Sequence, residues 1–173
     1  MWSRLFFTPM KEYGKYKVSL NKEKRTYDGI VFDSVQEMQY YTDVILPGIE
    51  CGEIQRYERQ KRYILQESFV RDGKKVLPIE YKADFYVLYK DGREQVIDIK
   101  GCAEPLAKVK RKIFWYRYPA VDYVWLSYSK IDGGWITYEE KQAGIKQRKR
   151  IKMEEKRRSE DEKTNKKSIK NFS

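Results

Sequence analysis

The sequence predicts an α/β fold built around a mixed sheet, and three observations carry that prediction. Apolar residues recur at helical spacing in two places, through Val35, Met38, Tyr41 and Ile45 and again through Leu106, Val109 and Ile113. Between them, residues 81–89 and 94–100 alternate with the two-residue period of strands. The resulting order is helix, strand, strand, strand, helix, strand, which suits helices packed on a sheet.

Each element has a local cause. Asp33 and Ser34 open the first helix, and Pro47-Gly48 is expected to stop it. A long strand-like stretch follows over 53–66. Lys90-Asp91-Gly92 turns the 81–100 segment back on itself. Pro105 suits the first turn of a helix running to about residue 118, and Pro119 ends that helix. Residues 122–127 read as a short buried strand.

The 173 residues suffice for one ordinary domain. Charge divides them into three parts. Residues 1–26 form a basic, aromatic arm that includes Lys11, Tyr13, Lys15, Tyr16 and Lys17. Residues 27–138 make the folded body. From 139 to 173, thirteen Lys or Arg meet seven acids, with only Ala143, Ile145, Ile151, Met153, Ile169 and Phe172 as apolar members. Such a tail buries no core, and it predicts a solvated helix fraying into disorder past about Ser159.

Lys and Arg number 37 against 26 acids, a net charge of +11, and histidine is absent. That absence removes Ser-His-Asp hydrolases, Cys-His proteases and His-ligated zinc sites. Two cysteines make neither a disulfide framework nor a four-ligand zinc site, and they suggest a reducing cytoplasm. No apolar run approaches the ~18 residues of a membrane span, and no secretory leader is recognisable. The positive surplus, joined to 15 tyrosines and 4 tryptophans, points to a polyanion such as nucleic acid.

Acids are then the natural chemical groups. Asp84 and Asp98 each interrupt an apolar strand, where carboxylates are rare unless paired or bound to a cation. A two-residue Asp91-Gly92 loop would pair Phe85 with Asp98 and mix the faces. A three-residue loop with Gly92 at positive φ pairs Asp84 with Asp98 and gathers Ala83, Phe85, Val87, Ile97 and Ile99 on one apolar, buried face. Register follows the buried face, which selects the second. It also sets Lys82 opposite Lys100, so irregular pairing or a strand end is expected near Lys82. Facing carboxylates about 4.5–5.5 Å apart at Cβ repel unless a hard cation such as Mg²⁺ (or Mn²⁺) lies between them. The Ile99 carbonyl can add an oxygen, and Lys100 on the same face can act on a water and on phosphate. The plainer alternative is a structural ion pair between Asp84 and Lys100.

Asp84 followed by Asp98-Ile99-Lys100 resembles the PD-(D/E)XK nuclease superfamily, with Ala83 where the motif's name has proline. The resemblance implies a restriction-endonuclease-like core of helix, three-strand meander, helix and strand. It also implies an acid on the first helix, which Glu37 fits. Read without it, Ser34-x-x-Glu37 is a capping box. The run from Tyr27-Asp28-Gly29 to Glu37, with Gln60, the two motif strands and Lys110-Arg111-Lys112-Ile113-Phe114, is similar to a phage-borne group of small, Holliday-junction-resolvase-like endonucleases over residues 27–128. That similarity implies catalytic roles for Glu37, Gln60, Asp84, Asp98 and Lys100. Metal would be held by Asp84, Asp98, Ile99 and Glu37, and DNA by Lys108, Lys110, Arg111 and Lys112, whose bland reading is a solvated helix face. The expectation is a Mg²⁺-dependent endodeoxyribonuclease of the cytoplasm, phage-encoded and acting in a bacterial host on branched or duplex DNA. It has no membrane partner and leaves room for a homodimer. RNA cleavage, and a non-catalytic DNA-binding or packaging accessory with the same fold, stand as alternatives.

Overall fold

The computed structural model describes residues 21–170, with side chains as far as Glu162. Positions 1–20 of the predicted arm lie outside the described residues. The chain divides into two compact units between Val124 and Trp125, inside a strand, whereas the shift in charge falls at 138/139. The first unit is mixed α/β.

That unit opens on a 3-10 turn, Glu23–Arg25, and a small hairpin of β1 (Thr26–Tyr27) against β2 (Ile30–Val31). Asp28 and Gly29 turn it at φ 47° and 72°, as a tight two-residue loop requires. Helix α1 (Val35–Tyr40) starts at Ser34, whose hydroxyl accepts the Glu37 N–H. Pro47 does not stop this helix as expected. Residues Tyr41–Ile45 form a π turn, and α2 (Leu46–Glu50) begins afresh with Pro47 in its first turn. At a new helix start the missing proline N–H has no partner to lose. Gly48 lets α2 lie against the next strand, because a Cβ there would sit 2.6 Å from Ile54 Cδ1.

The stretch 53–66 is broken into β3 (Ile54–Arg59) and β4 (Arg62–Gln66) by Gln60, which has φ 58°. A hairpin absent from the sequence reading comes next, β5 (Phe69–Arg71) and β6 (Lys74–Val76), turned by Asp72-Gly73 at φ 51° and 71°. The chain returns through β7 (Ile79–Lys82) and β8 (Phe85–Tyr89), and β9 (Glu94–Ile99) follows. β3 and β9 flank β8, both antiparallel to it, while β4 pairs with β7. Helix α3 (Pro105–Arg117), with Pro105 at its start as predicted, leads to β10 (Asp122–Ser129), whose beginning belongs to this unit beside β9. Phe114 anchors α3 among the rings of Tyr63, Tyr81 and Tyr123, at 5.0, 5.7 and 4.5 Å.

In the second unit the rest of β10 pairs antiparallel with β11 (Gly134–Thr137). α4 (Tyr138–Lys170) then runs well beyond Ser159, where the sequence predicted fraying. Thr137 and Glu140 cap its start reciprocally. Lys141 donates to the Tyr128 carbonyl, and Arg148 grips Asp132 with two bonds of 2.6 and 3.1 Å. Arg150 with Glu154 and Lys156 with Glu160 add pairs at four-residue spacing, so charge supports a helix that is exposed from Lys149 to Glu162. Among the described residues, no helix is long and apolar enough to cross a membrane.

Candidate active site

The hairpin of β8 and β9 has the three-residue loop that parity selects. Tyr89 N–H bonds the Arg93 carbonyl at 2.9 Å, Gly92 N–H bonds the Tyr89 carbonyl at 3.0 Å, and Gly92 has φ 82°. Phe85 lies opposite Ile97 and Val87 opposite Gln95; one step further, this register sets Asp84 across from Asp98. Ala83, Phe85, Val87, Ile97 and Ile99 are all buried, as expected. The other face is covered as well. Tyr86, Val96 and Asp98 are buried on it too, and the Lys61 ammonium sits 3.4 Å from the Tyr86 ring centre.

Lys82 and Lys100 never face each other in a ladder. β7 ends at Lys82, which pairs with Arg62 of β4 and reaches the Asp33 carboxylate at 3.4 Å. Residues 83 and 84 form a break between β7 and β8, opposite the kink at Gln60. Gln60 N–H bonds the Asp84 carbonyl at 3.1 Å, and Ala83 N–H bonds the Lys61 carbonyl at 2.9 Å. Gln60, expected to act through its side chain, therefore meets the site through its backbone. Released from the strand, the Asp84 carboxylate accepts the Ile99 N–H at 2.7 Å, so a side chain closes the hairpin where the ladder stops.

Asp98 is 2 % exposed and forms an ion pair with Lys100. The anticipated bridge of Asp84 to Lys100 is thus made by Asp98 instead. Asp98 has a second partner that sequence reasoning missed. The Tyr81 hydroxyl bonds its carboxylate, and Tyr123 donates to the Tyr81 hydroxyl in turn. Burial first, then Asp98 and Tyr123, push the Tyr81 phenol far above its ordinary range, so it stays a donor. Tyr81 precedes the kink, where strand parity no longer carries across. Tyr123 arrives from β10, beyond any local pattern.

Glu37 serves as cap and as buried acid. Ser34 Oγ donates to its Oε1 at 2.8 Å, and only 7 % of the residue is exposed. Burial raises its pKa, with Asp33 and Asp98 adding to the rise against the Ser34 bond. Asp84 is pushed well above the ordinary carboxylate range, by burial first and then by Asp98 and Glu37, against the Ile99 N–H and Lys100. Glu37, Asp84 and Asp98 therefore feel one another, and Lys100 is the cation among them.

Among the described residues, no three His, Cys, Asp or Glu side chains form a ready-made metal cage. The donor set still fits a hard divalent ion. Mg²⁺ is commonly held by one or two carboxylates plus water and substrate phosphate. Carboxylates that raise one another's pKa are also those that a cation relieves.

The four basic residues of α3 expected to hold DNA divide. Lys108 and Lys112 are exposed, whereas Lys110 donates to the Glu80 carbonyl at 2.8 Å and ties α3 to β7. Arg111 lies over the Trp115 ring at 4.6 Å. Lys110 also lines an open groove of about 400 Å³ with Arg62, Tyr81, Lys82 and Leu106.

Residues 15–133 match the family described as "Protein of unknown function (DUF1064)". The match spans more than half of the chain, which belongs to that family. No curated protein sequence matches it.

Proposed function

We propose that this family member is a Mg²⁺- or Mn²⁺-dependent endodeoxyribonuclease of the PD-(D/E)XK type, acting on branched DNA. The observation that carries the reading is the 81–100 hairpin, whose register sets Asp84 across from Asp98 with Lys100 against the second acid. Counted by the main sheet alone, α1, β3, β8, β9, α3 and β10 follow in the order that the resemblance implies, with the small strands β4–β7 interposed. Fold alone would not suffice, because unrelated functions share folds.

Asp84 and Asp98 would hold the ion, with Glu37 and the Ile99 carbonyl completing its surroundings. A divalent ion so held supplies an activated water and offsets charge on the phosphate. The protein's part is orientation. Ile99 N–H fixes the Asp84 carboxylate, Tyr81 with Tyr123 behind it fixes Asp98, and Lys100 brings a positive charge to where phosphate oxygens gain charge. A non-catalytic DNA-binding role is favoured by one feature, that two of the acids already have partners without an ion, Asp98 in an ion pair with Lys100 and Glu37 in a bond from Ser34.

The test incubates purified protein with labelled four-way junction, duplex and single strand, with and without Mg²⁺. Cleavage should require the ion and favour the junction. Asp98→Asn and Lys100→Ala should each lower the rate by about a hundredfold or more while DNA binding persists. Binding without cleavage under every divalent ion would replace the enzymatic reading with the accessory one.

A further inference from the structure

Helix α3 uses one side to hold the fold. Phe114 is fully buried, Lys110 bonds the Glu80 carbonyl, and the Tyr118 hydroxyl just past the helix bonds the Ile64 carbonyl at 2.9 Å. The other side carries large side chains with no such task. Tyr116 is 88 % exposed and Trp115 45 %. Lys108, Lys112 and Tyr116 follow one another at four-residue spacing, so they form a single row about 12 Å long. Trp115 borders that row, and the guanidinium of Arg111 lies over its ring.

We infer that this outward face of α3 binds a nucleic-acid strand with unpaired bases, Tyr116 and Trp115 stacking on bases while Lys108 and Lys112 meet phosphates. The inference rests on the nuclease reading for DNA as the partner and adds a substrate feature, single-stranded nucleotides beside the cleavage site. Charge selects the occupant. Cations running into exposed aromatic rings suit a polyanion that has flat faces, and duplex DNA hides those faces in its stack. The helix begins five residues after Lys100, so the chain leaving the candidate site runs directly into it.

The test measures anisotropy of a fluorescein-labelled oligothymidine and of a blunt duplex of equal length, in EDTA so that cleavage plays no part. Tyr116→Ala and Trp115→Ala should each weaken oligothymidine binding about tenfold and duplex binding less than about twofold, and Tyr116→Phe should bind as the parent does. Lys108→Ala with Lys112→Ala should weaken both ligands and make the salt dependence shallower. Unchanged far-ultraviolet circular dichroism and thermal midpoint establish that the exposed substitutions leave the fold intact. Equal losses on both ligands, or none, would overturn the inference. So would a shift from dimer to monomer in sedimentation on Tyr116→Ala, which would make the face a contact between copies. Because binding is read without metal, stacking can hold in a chain that cleaves nothing, and it can fail in one that cleaves.

Discussion

The two halves of the long ladder that meet at Gln60 and Asp84 keep one register but rest on different foundations. From Arg56 opposite Leu88 to Ile64 opposite Glu80 the pairing never slips. On the inner side Phe85 and Val87 are sealed, and Tyr40 of α1 packs on Phe85 at 5.3 Å. On the outer side β5 and β6 pair only with each other, and Val70 and Leu77 are 71 % and 70 % exposed. Beyond the break the ladder is still covered at Leu65 and Tyr81, and burial ends only at the β5–β6 hairpin. Asp84 lies at the border, beside the buried Ile99 yet partly open itself. The proposed role of Asp84, to meet both an ion and a substrate, needs such a place.

The largest expected effect tests that difference directly. Phe85→Ala should cost about 3–5 kcal/mol of unfolding free energy, because it opens a cavity in a closed core. Val70→Ala should stay within about 0.5 kcal/mol, as for other exposed positions. Urea denaturation measures both. Comparable losses would show the outer hairpin to be packed in solution and erase the contrast.

The same border marks how much the sequence could show. Parity and the buried face selected the register of 81–100, because both strands lie on the inner side, where burial enforces alternation. Asp72-Gly73 is as clear a hairpin signal as Asp28-Gly29, but its flanks, Val70-Arg71 and Lys74-Lys75, bury nothing and left no alternation to read. Pro47 misled because a π turn can reset a helix, and nothing local announces one. Of the site, Asp84, Asp98 and Lys100 were legible as acids and base in strands. Tyr81 and Tyr123 were not, since their roles depend on a kink and on a strand 42 residues away.

The kink itself supplies the next effect. Gln60 occupies the left-handed region, which a β-branched side chain tolerates poorly. Gln60→Val should therefore lose about 1–2 kcal/mol, and Gln60→Gly should lose less than about 1 kcal/mol, since glycine accepts that φ. If valine were tolerated as well as glycine, the bend would be a passive consequence of its neighbours. The outer half would then be no more than an extension of the inner one.

The effect most specific to the border acid is one of pH. Burial and the charges of Asp98 and Glu37 raise the Asp84 pKa in the folded protein, so between its unfolded and folded values the native state binds more protons than the unfolded one. Stability must then fall as pH rises through that window, being fully present below the ordinary value of 3.8 and lost above the raised one. Glu37 adds in the same direction from 4.5 upward. Other groups titrate too, so the informative quantity is the difference between parent and Asp84→Asn, whose amide oxygen can still accept the Ile99 N–H. In EDTA, that difference should move in favour of the asparagine variant as pH rises from 3.8 toward neutrality, read as urea midpoints. Added Mg²⁺ should bring the parent back toward the variant at neutral pH, because an ion held by Asp84 and Asp98 stabilises only the ionised, folded form. A difference that stays flat across that range would show Asp84 to be an ordinary solvated carboxylate, and the border would then separate packing alone.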